Sequence, residues 1–408
     1  MRPLKACAFL FLSGCFQAAN IDWVSADGPE NQAGSESKVG ISFRYRLEQV
    51  EQAGFDRDAL ASTLRGRLNF LTGSLGGFSA FVELDYVAQV GSDRYNAGGG
   101  NTPDRAQYPV VADPKGEDLN QAYLQYQSDR WKTRLGRQRI IINNARFVGN
   151  VGWRQNEQTY DAWSVEGSAT GEIDYSLAYV GKVNRIYGND VPAGDQKHDT
   201  YLLNATRQFE RVGKLAVYWF DIDNEDDPSV SNRTWGLRLT GQTELERSHF
   251  TYALEYARQT ETGDNPVPYD ADYYRLDLSW GPEYAQVFAG FESLGGQEGD
   301  AGQAFRTPLA TLHAFNGWAD RFSTTPEAGL EDVFVGVKGP LNQWSWYVAY
   351  HDFAAESGAA GYGSEIDVSF SRRFADHYGV LLKFADFKGA SAAYADTTKL
   401  WLQLTADF

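Results

Sequence analysis

Basic side chains are concentrated in one stretch of the chain, from Trp131 to Asn156. These 26 residues hold six basic side chains and no Asp or Glu, although the 408-residue chain carries 37 Lys and Arg against 54 Asp and Glu. Five of the six are arginines, whose planar guanidinium binds carboxylates or phosphates through two parallel hydrogen bonds. The stretch therefore predicts a site for anions. Its basic residues are Lys132, Arg134, Arg137, Arg139, Arg146 and Arg154.

Alternating residues elsewhere add charges that would face the same interior. Arg44 and Arg46 are two positions apart, as are Arg65 and Arg67, so each pair would project from one face of a strand. The predicted solute conduit contains nine arginines: Arg44, Arg46, Arg65, Arg67, Arg134, Arg137, Arg139, Arg146 and Arg154. Their predicted acidic partners in the lumen are Glu83, Asp85, Glu365 and Asp367. Two interpretations stay open: an anion-selective constriction, or a ladder of ion pairs that holds a loop in place without preferring any solute.

Other chemically suggestive residues do not assemble into a catalytic motif. His313 with Asp320, or His351 with Asp352, has the residue types of a general-base pair, but no motif places a nucleophile beside either. The segment 221–227 is rich in carboxylates, yet it lacks the glycine turn of an EF-hand loop. We therefore predict no catalytic residue, no metal site and no cofactor, and we interpret the acidic segment as a solvated loop.

Residues 39–408 alternate between apolar and polar side chains with a period of two, the pattern of half-buried strands. From Ile41 to Glu48 each odd-numbered residue is apolar and each even-numbered one is polar or charged. We count 18 such strands, joined by nine long and eight short connections that alternate along the chain. This rhythm is typical of a transmembrane barrel with short periplasmic turns and long extracellular loops. The predicted fold is an all-β, antiparallel barrel of about 18 strands.

Composition favours a membrane barrel over a soluble one. Aromatic residues make up 14% of the chain, and those near strand ends, such as Trp163 and Trp280, would form interfacial girdles. A soluble barrel of 18 strands would be too wide for its side chains to fill. We predict a barrel in the bacterial outer membrane with both termini in the periplasm. Its expected partners are membrane lipid, lipopolysaccharide and the barrel-assembly machinery, which would act on the C-terminal strand ending in Phe408. An acidic chain makes nucleic acid a poor partner.

The N-terminus has the features of an export signal. A charged start, an apolar run and small residues near Ala19 predict a signal peptide at residues 1–19, followed by a periplasmic lead-in at 20–38 and the barrel at 39–408. A competing interpretation is a lipoprotein signal, because Leu12 to Cys15 matches the pattern that is cut before a lipidated cysteine.

Several segments resemble the alginate-export family of outer-membrane porins. They are Phe43–Glu48 (FRYRLE), Leu119–Leu124 (LNQAYL), Leu135–Arg139 (LGRQR), Asn144–Gly149 (NARFVG), Gly152–Asn156 (GWRQN), His313–Asp320 (HAFNGWAD), Tyr350–Phe353 (YHDF) and Gly363–Asp367 (GSEID). The resemblance extends over essentially all of 39–408 and is most specific from Gly136 to Asn156. It implies a monomeric, 18-stranded barrel with an arginine-rich conduit for an anionic polysaccharide of uronic acids. On matching positions it implies conduit roles for Arg44, Arg46, Arg137, Arg139, Arg146 and Arg154.

The predicted function is a porin-like channel for the diffusion of anionic or carbohydrate solutes. The resemblance extends this to the export of an alginate-like polyuronate, while the four lumen carboxylates soften the positive field. Two alternatives stay open. One is an outer-membrane barrel enzyme of the lipase or deacylase type, which would need a polar triad at the lipid-facing rim. The other is a sealed structural or lipopolysaccharide-binding barrel.

Overall fold

The computed structural model describes residues 36–245 and 247–408. The predicted signal peptide, Cys15 and most of the predicted lead-in lie outside these residues. The described chain forms 18 strands. They are β1 Lys38–Gln52, β2 Ala59–Leu71, β3 Phe78–Arg94, β4 Gly116–Gln127, β5 Trp131–Gln138, β6 Thr159–Ala169, β7 Ile173–Asn184, β8 Asp195–Phe209, β9 Gly213–Ile222, β10 Asn232–Leu245, β11 Ser248–Glu261, β12 Asp270–Gly281, β13 Gln286–Leu294, β14 Leu330–Leu341, β15 Trp344–Ala354, β16 Gly361–Phe374, β17 Tyr378–Gly389 and β18 Thr397–Asp407.

Each strand pairs antiparallel with its neighbours in the chain, and β1 pairs with both β2 and β18. The sheet is therefore a closed barrel, which confirms the predicted fold. One end, the loop side, carries nine connections: L1 53–58, L2 95–115, L3 139–158, L4 185–194, L5 223–231, L6 262–269, L7 295–329, L8 355–360 and L9 390–396. The other end, the turn side, carries the eight remaining connections, the start of β1 and the end of β18.

The outer face of the barrel is apolar, as the alternation predicts. Leu135 is 62% exposed and Leu84 is 48% exposed, which is the arrangement expected where side chains meet lipid. Lys182 departs from the simple alternation. The numbering of its strand predicts that it faces inward, but a register shift between Val180 and Lys182 reverses the faces beyond it. Lys182 consequently forms an ion pair with Asp195 on the neighbouring strand, and this is the local effect of a β-bulge.

Loops fold into the interior, since a ring of 18 strands is too wide for its own side chains to fill. β5 has only eight residues, and beyond it the chain leaves the wall as L3. Residues of L3 and L7 join inward-facing strand residues in one large buried apolar cluster. The helices of the described residues are turns of 3₁₀ helix, and none is long and apolar enough to cross a membrane.

Candidate functional site

L3 and L7 start from nearly opposite parts of the wall and bind one another inside the barrel. The amide of Gly149 donates to the carbonyl of Leu309 (2.9 Å), and the amide of Thr311 donates to the carbonyl of Ala145 (3.0 Å). Val148 and Leu309 also form an isolated parallel bridge. We call L3 and L7 together the plug. These bonds make the two loops one body across the lumen.

One face of the plug is apolar. Phe147 packs against Tyr218, Tyr273 and Phe305, with ring centroids 5.1–5.7 Å apart. All four rings are buried. Close packing of this kind leaves no space for water, so this face seals the plug against β9 and β12.

The opposite face of the plug carries charge. We call the charged seam the eleven ionisable side chains that meet where L3 packs against L2 and β1–β3. They are Arg44, Arg46, Arg65, Arg67, Arg139 and Arg154, with Glu48, Glu83, Asp85, Asp113 and Glu157. Their alternation on the strands brings the strand members to one face, and L2 and L3 supply the rest. Six of the nine predicted conduit arginines are thus brought together.

Glu157 lies at the centre of the seam. Its carboxylate accepts hydrogen bonds from Arg67 Nη1 (2.7 Å) and from Arg139, and it lies 3.9 Å from Nη1 of Arg65. Burial alone would raise the pKa of this carboxyl, but Arg139 and Arg67 hold the pKa well below its usual value. Glu157 is therefore ionised. It fastens L3 to β2, where Arg67 also makes two hydrogen bonds to Asp85.

Arg44 differs from the other guanidiniums of the seam. It donates to Oε1 of Gln155 (3.1 Å), to the carbonyl of Gly152 (2.9 Å) and to the carbonyl of Arg154. All three acceptors are neutral, and among the described residues no carboxylate lies within 4.0 Å of it. Its neighbour across the β1–β2 pairing is another cation, Arg65. The positive charge of the seam is therefore least compensated at Arg44.

Arg46 and Arg154 tie the seam to L2 and L7. The guanidinium of Arg46 lies 4.1 Å from the ring centroid of Trp153 and 3.5 Å from Asp113, a geometry that combines cation–π and ionic contact. Arg154 contacts Glu48 at 3.1 Å and Asp320 of L7 at 3.3 Å.

The three remaining arginines of the predicted conduit lie outside the seam. Arg134 donates to Gln125 (2.8 Å) near the turn side. Arg137 lies three residues beyond Arg134 on β5 and therefore projects from the opposite face, the one that carries Leu135. It pairs with Asp161 (2.8 Å). Arg146 crosses the lumen to Glu292 (2.6 Å). The arginine-rich stretch thus separates into three locations.

The predicted lumen carboxylates divide into two groups. Glu83 and Asp85 belong to the seam, whereas Glu365 and Asp367 on β16 hold the backbone of L7. Glu365 accepts from the amide of Ala319 (2.7 Å), and Asp367 accepts from the amide of Trp318 (3.3 Å). The preceding residue is Gly317, whose φ is +79°; a Cβ there would lie 2.4 Å from Oε2 of Glu365. Only glycine permits this approach.

The histidine pairs have structural partners. His313 Nδ1 lies 2.7 Å from Asp320, and its Nε2 lies 2.7 Å from Lys383 Nζ. Burial keeps the pKa of His313 well below its usual value, so the ring is neutral and accepts from the ammonium. His351 does not pair with Asp352. Neighbouring residues of a strand face opposite sides, and His351 bonds instead to Asp332 (2.9 Å).

Several residues of the site carried no signal in the sequence. Asp113, Gln155 and Glu157 lie in loops, where alternation predicts nothing about direction. The one available sign is that Glu157 directly follows the acid-free stretch. In the acidic segment 221–227, Asp221 pairs with Arg233 (2.8 Å). Among residues 36–245 and 247–408 no group of three or more His, Cys, Asp or Glu could hold a metal ion.

Comparisons with known proteins agree with this architecture. Residues 35–280 match the family model described as alginate export. OccAB2 of Acinetobacter baumannii has a similar structure (TM-score 0.73, 15% identity, 92% of this chain and 98% of that one). So does OccK1 (OpdK) of Pseudomonas aeruginosa (TM-score 0.72, 12% identity, 92% and 100%), which has also been solved with vanillate. The curated proteins include no match.

At such low identity the structural neighbours establish the fold, and the family model, which covers more than half of the chain, establishes the family. Both point to a channel rather than an enzyme. The chain belongs to the alginate-export family, and it forms an 18-stranded outer-membrane β-barrel of the porin type, a channel for solutes.

Proposed function

We propose that the protein passes anionic solutes, carbohydrates with carboxylate groups among them, along the charged seam. We propose that the turn side of the barrel faces the periplasm, as the short turns of bacterial barrels do, and that both termini lie on that side. Within this class of solutes, family membership favours a polyuronate.

The observation that carries the proposal is the environment of Arg44. A buried guanidinium that donates only to neutral oxygens has no carboxylate in contact to compensate its charge, and it lies in a region of low dielectric. Each acceptor of Arg44 belongs to L3 residues 152–155. A carboxylate that replaced these acceptors would form a stronger, charge-assisted hydrogen bond. Arg44 is therefore the position where an anion would be most stabilised.

The charge count of the seam has the same sign. Six guanidiniums face five carboxylates, an excess of one positive charge. Asp320, which also contacts Arg154, is balanced by Lys399 at 2.7 Å. An excess of this sign raises the local concentration of anions and repels cations.

The two faces of the plug also favour this route. A charged solute that passed between the packed rings would lose its hydration, at a cost of several kcal/mol. Arg146, the cation of L3 beside these rings, is already paired with Glu292. On the seam, each carboxylate of the solute can exchange places with a protein carboxylate or carbonyl. Local rearrangement of L3 at the seam is therefore the route of lower cost.

We further propose that the barrel works as a monomer in contact with lipopolysaccharide, and that the assembly machinery acts on β18. Closure of the barrel supports the last point. β18 pairs along its length with β1, and the amide of Phe408 donates to the carbonyl of Ile41 (2.8 Å). The C-terminal strand thus closes the sheet by pairing with the first strand.

Flux from proteoliposomes tests the proposed function. Vesicles loaded with equal amounts of glucuronate and glucose, which differ chiefly in one carboxylate, are diluted and the loss of each sugar is followed. We expect glucuronate to leave faster than glucose, with neither leaving protein-free vesicles. Equal rates would contradict anion preference, and no flux of either sugar would favour a sealed barrel.

A further inference from the structure

The turn side of the barrel contains an open cavity that is separate from the charged seam. It has a volume of about 580 Å³ and lies beneath L3, among the turn-side ends of β4 to β9. This volume is within the range of about 300–1,000 Å³ that is typical of small-molecule sites. None of the eleven seam residues lines it. We call this cavity the vestibule.

The lining of the vestibule is rich in neutral hydrogen-bonding groups. Amides and hydroxyls come from Gln127, Asn143, Ser176, Asn204 and Thr206. Its charges balance, because three basic residues (Arg130, Lys132 and Lys214) face three acidic ones (Asp129, Glu166 and Asp174). A site that is neutral overall but dense in donors and acceptors suits a polyhydroxylated solute, since it pairs hydroxyl groups without selecting for net charge.

The roof of the vestibule is the tip of L3. Asn143 has a left-handed backbone (φ +54°), and its side-chain amide donates to Oδ1 of Asn204 on β8 at 3.2 Å. Both asparagines line the cavity, so this amide pair is within reach of a bound solute. Behind it the tip closes on itself, because the amide of Ile142 donates to the carbonyl of Val148 (3.1 Å). The tip of L3 therefore contacts the barrel wall through the exposed Asn143–Asn204 hydrogen bond, in which a solute hydroxyl can take the place of either amide.

Aliphatic surface complements these polar groups. Ile141, at the roof, is 51% exposed although it lies inside the barrel. Sugar rings present C–H groups on one face and hydroxyls at the edge, so a site for them needs apolar and polar contacts side by side. Ile141 beside the amide pair of Asn143 and Asn204 provides this combination.

We propose that the vestibule binds a short oligosaccharide through its hydroxyl groups, with the Asn143–Asn204 bond giving way to bonds with the sugar. The inference rests on the proposed function, and it assigns separate roles to the vestibule and the seam. The vestibule recognises the saccharide at the periplasmic mouth, irrespective of charge, and the seam beyond it selects for negative charge.

Isothermal titration of the full-length protein in detergent with a neutral trisaccharide, maltotriose, tests this proposal. We expect saturable binding, and we expect Asn204→Leu to weaken it about 5–10-fold, since loss of one or two hydrogen bonds costs about 1 kcal/mol or slightly more. Thr206→Val, which nearly conserves volume, should weaken binding in the same direction. The matched control is Gln242→Leu, a lumen-facing change on β10 outside the vestibule lining, which should leave the Kd unchanged.

Two results would overturn the proposal: no binding of maltotriose by the wild type, or unchanged binding by both Asn204→Leu and Thr206→Val. Retention of the heat-modifiable migration of folded barrels identifies variants that have folded. Failure of the proposed function has a different signature, since it appears as equal flux of glucuronate and glucose whatever the outcome of the titration.

Discussion

Glu157→Gln separates the two roles of the charged seam, in holding L3 and in attracting anions. The substitution keeps the shape of the side chain and removes one of five carboxylates, so the positive excess of the seam rises from one charge to two. Arg67 and Arg139 retain carboxylate partners in Asp85 and Glu83. Arg65 loses the carboxylate at 3.9 Å. We expect stronger anion preference together with weaker attachment of L3.

The size of the loss follows from the burial of Glu157, whose side chain has 0% exposure. Removing one member of a buried ion pair costs about 3–5 kcal/mol, and the amide that remains as a hydrogen-bond acceptor places the expected value near the lower limit. About 3 kcal/mol corresponds to roughly a hundredfold increase in the opened population of L3. Hydrogen exchange at the amide of Gly149, which bonds to L7, reports that population.

The matched control is Asp161→Asn. Asp161 is the carboxylate partner of Arg137, and this ion pair lies outside the seam. It should change neither the exchange of Gly149 nor the reversal potential in a salt gradient. If Glu157→Gln left selectivity unchanged or moved it toward cations, the seam would not lie on the solute path. If Gly149 exchanged no faster, Glu157 would not be the anchor of L3.

The remaining predictions concern Arg44, Gly317 and His313. Arg44→Gln should lower the ratio of anion to cation permeability, because it removes the least compensated charge; Arg137→Gln, measured in the same bilayers, should not. Gly317→Ala should destabilise the L7 anchor by about 1–3 kcal/mol, since it adds a Cβ at positive φ against Glu365, and this should appear as faster proteolysis of L7. The pKa of His313 is lower in the folded protein than in the unfolded chain, so its contribution is fully present above the unfolded value of about 6.5 and declines as the pH falls below it. The protection factors of L7 amides, in which the intrinsic pH dependence of exchange is removed, should therefore fall between pH 7 and 5. His313→Gln should reduce that fall; an unchanged pH dependence of the protection factors in the variant would contradict the assignment.

The fold could be predicted from the sequence because a membrane barrel repeats one local rule. Alternation on each strand and the rhythm of the connections gave the strand number and the antiparallel order. The rule fails at Lys182, where a bulge inserts one residue and every later side chain on the strand changes face. The one local sign is Gly181 between Val180 and Lys182, because an isolated glycine inside a strand pattern often marks a bulge.

The site was predictable only where strands supply it. Arg44, Arg46, Arg65 and Arg67 share a face because they obey the alternation. Loop residues follow tertiary contacts instead. L3 turns Arg139 and Arg154 toward the seam but sends Arg146 across the lumen to Glu292. Their partners from the loops, Asp113 and Glu157, could not be foreseen, because only the packing of L2 and L3 against the wall brings them there.

The central claim, that solutes pass along a seam with excess positive charge, is tested most directly by the reversal potential of the wild-type channel. Single channels are recorded in a planar bilayer with a tenfold KCl gradient across it. Chloride and potassium have nearly equal mobility in water, so a neutral pore would reverse near zero. We predict a reversal potential with the sign for chloride permeation. A potential with the sign for potassium would contradict the claim.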